Sequence, residues 1–148
     1  YYGQLVRTAW LDSGVEPYPQ AVKAPYLYEH EIGFDDDGSP MTGVFIESSD
    51  IDLGDGDSFA FLSRAIPDVK FLPTGTLKLS TKQRNYPGDN LVETSSTVIT
   101  PTTQQAFIRS RGRQFVLRID SNDGDPSNLG SGWRLGATRL DLRTDGRR

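Results

Sequence analysis

The sequence predicts an all-β protein: an antiparallel β-sandwich or jelly-roll-like fold of about eight short strands. Three observations predict it. No stretch sustains an apolar period of 3.6 residues over a helix-sized window. Several stretches alternate with a period of two, most clearly Arg113–Asp120, where Phe115, Leu117 and Ile119 share a face. Turns rich in Gly, Pro and Asp separate these stretches at short intervals.

The elements follow in chain order. Residues 1–25 contain Pro17, Pro19 and Pro25 without a sustained period and read as an extended arm or linker remnant, in which only Gln4 to Trp10 suits a strand. The sandwich is expected over residues 26–148. Tyr26–Ile32 is an aromatic strand, and Phe34–Pro40 (FDDDGSP) is a turn. Val44–Leu53 is a β-branched strand, ended by the turn Gly54-Asp55-Gly56-Asp57. Ser58–Ala65 follows, then Val69–Leu72 after the break at Pro67. Leu77 and Leu79 share one face of the next strand, which runs into the loop Arg84–Asp89. Ser95–Thr100, Ala106–Ser110 and Arg113–Asp120 are strands, Ser121–Gly132 is a long polar loop, and Trp133–Leu135 and Thr138–Arg143 close the pattern. Alternation places Phe59, Phe61, Leu77, Leu79, Phe115, Leu117, Ile119, Leu140 and Leu142 inward.

Leu, Ile, Val and Phe together supply 36 of the 148 residues, enough for a core and too many for wholesale disorder. The absence of cysteine excludes disulfides, zinc thiolates and a cysteine nucleophile. With His30 as the only histidine, a multi-histidine metal site is excluded. No apolar run is long enough for a transmembrane helix. The start at Tyr-Tyr-Gly, without Met or a signal peptide, reads as a piece cut from a longer protein.

The net charge of −4 conceals a gradient: −10 over residues 1–58, +2 over residues 59–102 and +4 over residues 103–148. Arginine outnumbers lysine twelve to four. Guanidinium groups suit planar, partly dry pairing with carboxylates, so pairing with the acidic segments, within a chain or across a subunit boundary, is expected ahead of nucleic-acid contact.

Five constellations have chemical potential. DIDLGDGD sets Asp50, Asp52, Asp55 and Asp57 around glycines, yet lacks EF-hand spacing and a closing glutamate, so it reads as a turn and not a calcium site. Asp35-Asp36-Asp37-Gly38 reads as a solvated hairpin tip, and Asp123-Gly124-Asp125 is ambiguous. In Glu29-His30-Glu31 the two glutamates share a strand face opposite His30, which fits a half-buried strand end paired with arginine better than an acid–base cluster. Arg109, Arg111 and Arg113 form a basic stripe suited to phosphates or to a neighbour's carboxylates. No nucleophile elbow or phosphate-binding glycine loop occurs, so no catalytic residue, metal or cofactor is assigned.

Five stretches, in order, carry a more specific signal: EHEIGFDDDG, VFIESSDIDLGDGDSFAFLSRAIPDVKF, KQRNYPGD, FIRSRGRQFVLRIDSND and GWRLGATRLDLRTDGRR. Together, over residues 26–148, they resemble the C-terminal β-rich region of short-tailed phage tail-nozzle or packaged-DNA stabilisation proteins. The resemblance implies a structural virion component and no catalysis. It implies self-association in a ring, a hexamer in the full protein, and neighbouring tail or adaptor proteins. Double-stranded DNA would pass without sequence-specific binding, and fibres, spikes or a needle would dock outside. It further implies location in the virion tail after assembly in the host bacterial cytoplasm. Arg109, Arg111, Arg113, Trp133 and Arg134 are the candidate subunit or partner contacts. The competing expectation is a carbohydrate-binding sandwich that uses Trp10, Trp133 and surface tyrosines as stacking platforms. A hydrolase built on aspartate pairs is a weaker third reading.

Overall fold

A computed structural model describes residues 7–54 and 58–147. The chain is all-β, and its strands pair antiparallel throughout the described residues. It divides into two compact units at Phe34/Asp35.

The first unit holds a three-stranded meander of β1 (Ala9–Leu11), β2 (Gln20–Lys23) and β3 (Tyr26–Glu29). The region expected to be an extended arm thus contributes two strands. Its prolines occupy the connections and leave Gln20–Lys23 free to pair with Tyr26–Glu29 across Ala24-Pro25. The compact-unit boundary accordingly falls after Phe34 and not at residue 25. The part of the Gln4–Trp10 expectation before Arg7 lies outside the described residues.

The second unit is a two-layer sandwich. One layer has five strands: β6 (Phe45–Glu47), β7 (Ile51–Asp52), β10 (Leu77–Arg84), β11 (Val92–Ile99) and β13 (Gln114–Asp120). They run in the order β11-β10-β13-β6, with β7 also on β13. The other layer has three strands in the order β12-β8-β15, from β8 (Ser58–Ile66), β12 (Ala106–Gly112) and β15 (Arg139–Arg147). Two further two-stranded ladders complete the unit: the hairpin β4 (Asp35–Asp36)/β5 (Ser39–Pro40) and the long-range pair β9 (Val69–Leu72)/β14 (Gly132–Leu135).

The core lies between the two layers. Leu77, Leu79, Ile99, Phe115 and Ile119 from the larger sheet meet Ala60, Leu62, Ala65, Ala106 and Ile108 from the smaller one. Leu117, Leu140 and Leu142 pack at its margin, partly buried.

The expected register of β8 is reversed. Ala60, Leu62 and Ala65 point inward, and Phe59 and Phe61 lie on the outer face, only partly buried. Small residues at the fully buried Ala60 and Ala65 let the layers approach, a position where a phenylalanine ring would overpack. Outside, arginine guanidinium groups cover the two rings.

The single strand expected over Val44–Leu53 is split. Both halves pair with β13, but at the break the Leu117 N–H donates to Ser48 Oγ at 3.0 Å. A hydroxyl there takes the place of a backbone carbonyl, and this interrupts the ladder. At the FDDDGSP turn the hairpin forms as read: Asp37 (φ 54°) and Gly38 (φ 76°) supply the two left-handed residues of a two-residue turn.

Candidate interaction surface

The outer faces of the two layers differ in charge balance. On the larger sheet each cation has a partner. Lys82 donates to Glu47 at 2.6 Å, and Lys78 lies 3.4 Å from Glu93. Arg84 pairs with Asp50, and Arg118 sits 3.4 Å from both Glu47 and Asp120. The hydrogen bond from Lys82, reinforced by Arg118, holds the Glu47 carboxyl below the usual carboxylate range against the opposing effect of its partial desolvation.

The outer face of β12-β8-β15 is arginine-rich. β12 alternates strictly, so Phe107, Arg109 and Arg111 are exposed while Ala106, Ile108 and Ser110 are buried. Ladder pairing sets Phe107 beside Arg64, Arg64 beside Asp141, and Phe61 between Arg111 and Arg143. Arg64 pairs with Asp141, and Arg111 with Asp145. Arg109, Arg139 and Arg143 are exposed and form no ion pair among the described residues. Among the described side chains, five arginines thus face two aspartates on this surface. Stacking fixes some of them: the Arg111 guanidinium lies 4.4 Å from the centre of the Phe59 ring, and that of Arg143 lies 4.9 Å from Phe61. Each such contact contributes about 0.5–1 kcal/mol at an exposed site.

Of the predicted stripe, Arg109 and Arg111 share this exposed face, whereas Arg113 is half-buried. Arg113 sits at the bend after Gly112, where its guanidinium reaches Phe59 (5.3 Å) and Tyr86 (5.4 Å). Gly112 lets the end of β12 approach β10 closely, since an added Cβ would fall 3.1 Å from Gln83 Cβ and 3.3 Å from the Arg84 carbonyl. Trp133 and Arg134 lie elsewhere, on β14. Trp133 pairs with Phe71 and packs against the core, and exposed Arg134 stands opposite exposed Lys70. Sequence reasoning missed Arg64, Arg139 and Arg143. They come from strands distant in the chain, and only the β8 register brings them to the face of Arg109.

Other candidates resolve into local structure. Asp50 is occupied by Arg84, and Asp52 accepts from Gln114 Nε2 at 3.2 Å. Asp55 and Asp57 lie outside the described residues. Asp123 accepts from the Gly43 N–H at 2.9 Å. Asp125 caps the short 3-10 turn Pro126–Asn128, and its carboxyl is held low by the Thr76 hydroxyl and then by Ser127. His30 stacks on Trp10 at 4.4 Å, and Arg7 Nη1 lies 2.5 Å from its Nε2. Among the described residues, no three His, Asp or Glu side chains converge on a point that could hold a metal ion. An open concavity of about 280 Å³ at the β15 edge is lined by Ser63, Leu140, Asp141, Leu142 and Arg143. No α-helix among the described residues is long and apolar enough to cross a membrane.

No protein-family model matches the chain, and a search of curated proteins finds no match.

Proposed function

We propose that the chain is a structural module of a phage tail nozzle, acting through contacts with other copies of itself and with neighbouring tail or adaptor proteins. In this reading it contributes to a ring, a hexamer in the full protein. The ring continues the channel for double-stranded DNA in the virion tail and offers its exterior to fibres, spikes or a needle. No catalytic step is assigned to it. The resemblance over residues 26–148 suggests the class. The observation that carries the reading is the outer face of β12-β8-β15, a broad strand-built surface with three exposed arginines that form no ion pair among the described residues and with Phe107 73% exposed. Arginine and aromatic side chains are the residues that dominate protein–protein contacts.

A carbohydrate-binding module is the second reading, favoured by Trp10, which is 51% exposed on the three-stranded sheet of the first unit. Trp133 contributes less to it because that ring packs against the core. Sedimentation velocity over a concentration series, with negative-stain microscopy of the largest species, separates the two readings. Concentration-dependent assembly into arcs or rings is expected. A chain that stays monomeric and binds a glycan array, with binding lost in Trp10→Ala, would replace the first reading by the second.

A further inference from the structure

We infer that the arginine face of one copy receives the acidic β4–β5 hairpin of a second copy, a head-to-tail contact between two different patches of the same chain. The inference rests on the structural-module reading above and names its contact.

Charge complementarity carries it. Residues 35–54 include six acidic side chains and no basic one. Of these, Glu47 and Asp50 are taken up by ion pairs with Lys82, Arg118 and Arg84. The hairpin presents Asp35 and Asp37 at an exposed tip. The tip is preorganised: its two left-handed residues set the turn, and Gly38 N–H donates to Asp35 Oδ1 at 3.3 Å. Its base is tied down as well. The Gly43 N–H bonds the Asp123 carboxylate, and Ser121 N–H donates to the Val44 carbonyl at 2.9 Å. Preorganisation lowers the entropy lost on docking. Opposite charges for this tip stand on the smaller sheet at Arg109, Arg139 and Arg143, whose planar forks suit carboxylates.

The apolar groups match in the same way. Next to the hairpin, Met41 is 44% exposed, and Ile46 on the edge strand β6 is 50% exposed, while the neighbouring Phe45 ring lies under the Arg118 guanidinium at 3.8 Å. On the arginine face the apolar element is Phe107. Each patch therefore joins charge of one sign to an exposed apolar side chain. Because the patches differ, the contact is heterologous, and repeating it closes a ring or extends a filament.

Charge exchange between two variants tests this. One variant is Asp35→Lys with Asp37→Asn, asparagine being tolerated at a left-handed position. The other is Arg109→Glu, Arg139→Glu and Arg143→Glu. All five positions are exposed, and circular dichroism verifies that each variant folds. Sedimentation should show self-association of each variant alone at least tenfold weaker than that of the natural chain. An equimolar mixture should recover pairwise association, since it restores one natural contact, the aspartate tip of the arginine variant on the arginine face of the tip variant. Association of the natural chain should weaken as the Debye length falls from about 8 Å at 0.15 M salt to about 3 Å at 1 M. Self-association left unchanged in both variants, or no recovery on mixing, overturns the contact while leaving the structural-module reading in place. A natural chain that never associates overturns both. Submicromolar binding of duplex DNA, lost in the arginine variant while self-association persists, assigns the face to nucleic acid and overturns the contact.

Discussion

Asn128 is a polar side chain only 9% exposed, and three bonds account for its burial. Its Oδ1 accepts from the Thr76 N–H at 2.7 Å, and its Nδ2 donates to the Thr76 carbonyl at 3.1 Å and to that of Ser121. One amide thus ties the polar loop after β13 to the start of β10. Gly75 stands close by, where an added Cβ would fall 2.9 Å from Asn128 Oδ1. Asn128→Ala removes three bonds and strands two carbonyls and an N–H, for an expected loss of about 2–4 kcal/mol. A shifted urea midpoint with an unchanged slope would verify it. Nothing local in SNDGDPSNLG marks this asparagine as buried, because its main partner is 52 positions away. The Asp37-Gly38 tip was legible for the opposite reason: its conformation depends only on its own two residues and their neighbours.

At the scale of the strand, alternation identifies two faces but not which one is covered. In β10 and β13 the aliphatic face is inward, as the pattern says, since Leu77, Leu79, Phe115 and Ile119 are buried. In β8 both faces carry apolar side chains, and the choice depends on how closely the partner layer approaches. That information lies in β10 and β13, not in β8. Leu62→Ala and Leu79→Ala should therefore each cost about 2–5 kcal/mol. Phe61→Ala and Leu117→Ala should cost less, since both side chains are only partly buried. Urea melts of the four variants check this ordering.

The larger sheet also has a pH signature. A carboxyl held low in the folded state gives stability that is complete above its unfolded pKa and is lost as pH falls through the folded value. For Glu47 this window begins near pH 4, the ordinary glutamate range, and extends below it. Glu47→Gln should be less stable than the natural chain at pH 7, and the difference should shrink as pH falls below about 4. Chemical melts across that range measure the convergence.

Over the whole molecule, charge is sorted by segment in the sequence and by surface in the fold. The acidic-to-basic gradient was legible by counting. The face that gathers the arginines was only partly so, since Arg109 and Arg111 are neighbours in sequence while Arg64, Arg139 and Arg143 reach them through pairing with β8. The net charge of −4 and the ion pairs at Arg64 and Arg111 limit duplex binding. A fluorescence-anisotropy titration should give a Kd weaker than about 10 μM at physiological salt. With three exposed arginines that form no ion pair among the described residues, the slope of log K against log salt should be no steeper than about −3.

The central place of β8 between β12 and β15 also has a consequence in time. Its Ala65 pairs with Leu140, which is translated 75 residues later. At roughly 5–20 residues per second, one side of β8 waits on the order of 4–15 s on the ribosome before its partner exists. Closure of the smaller layer therefore waits until β15 has been made. In a refolding experiment, where every strand is present from the start, these long-range pairings should place the rate in the millisecond-to-second regime of β-sandwiches.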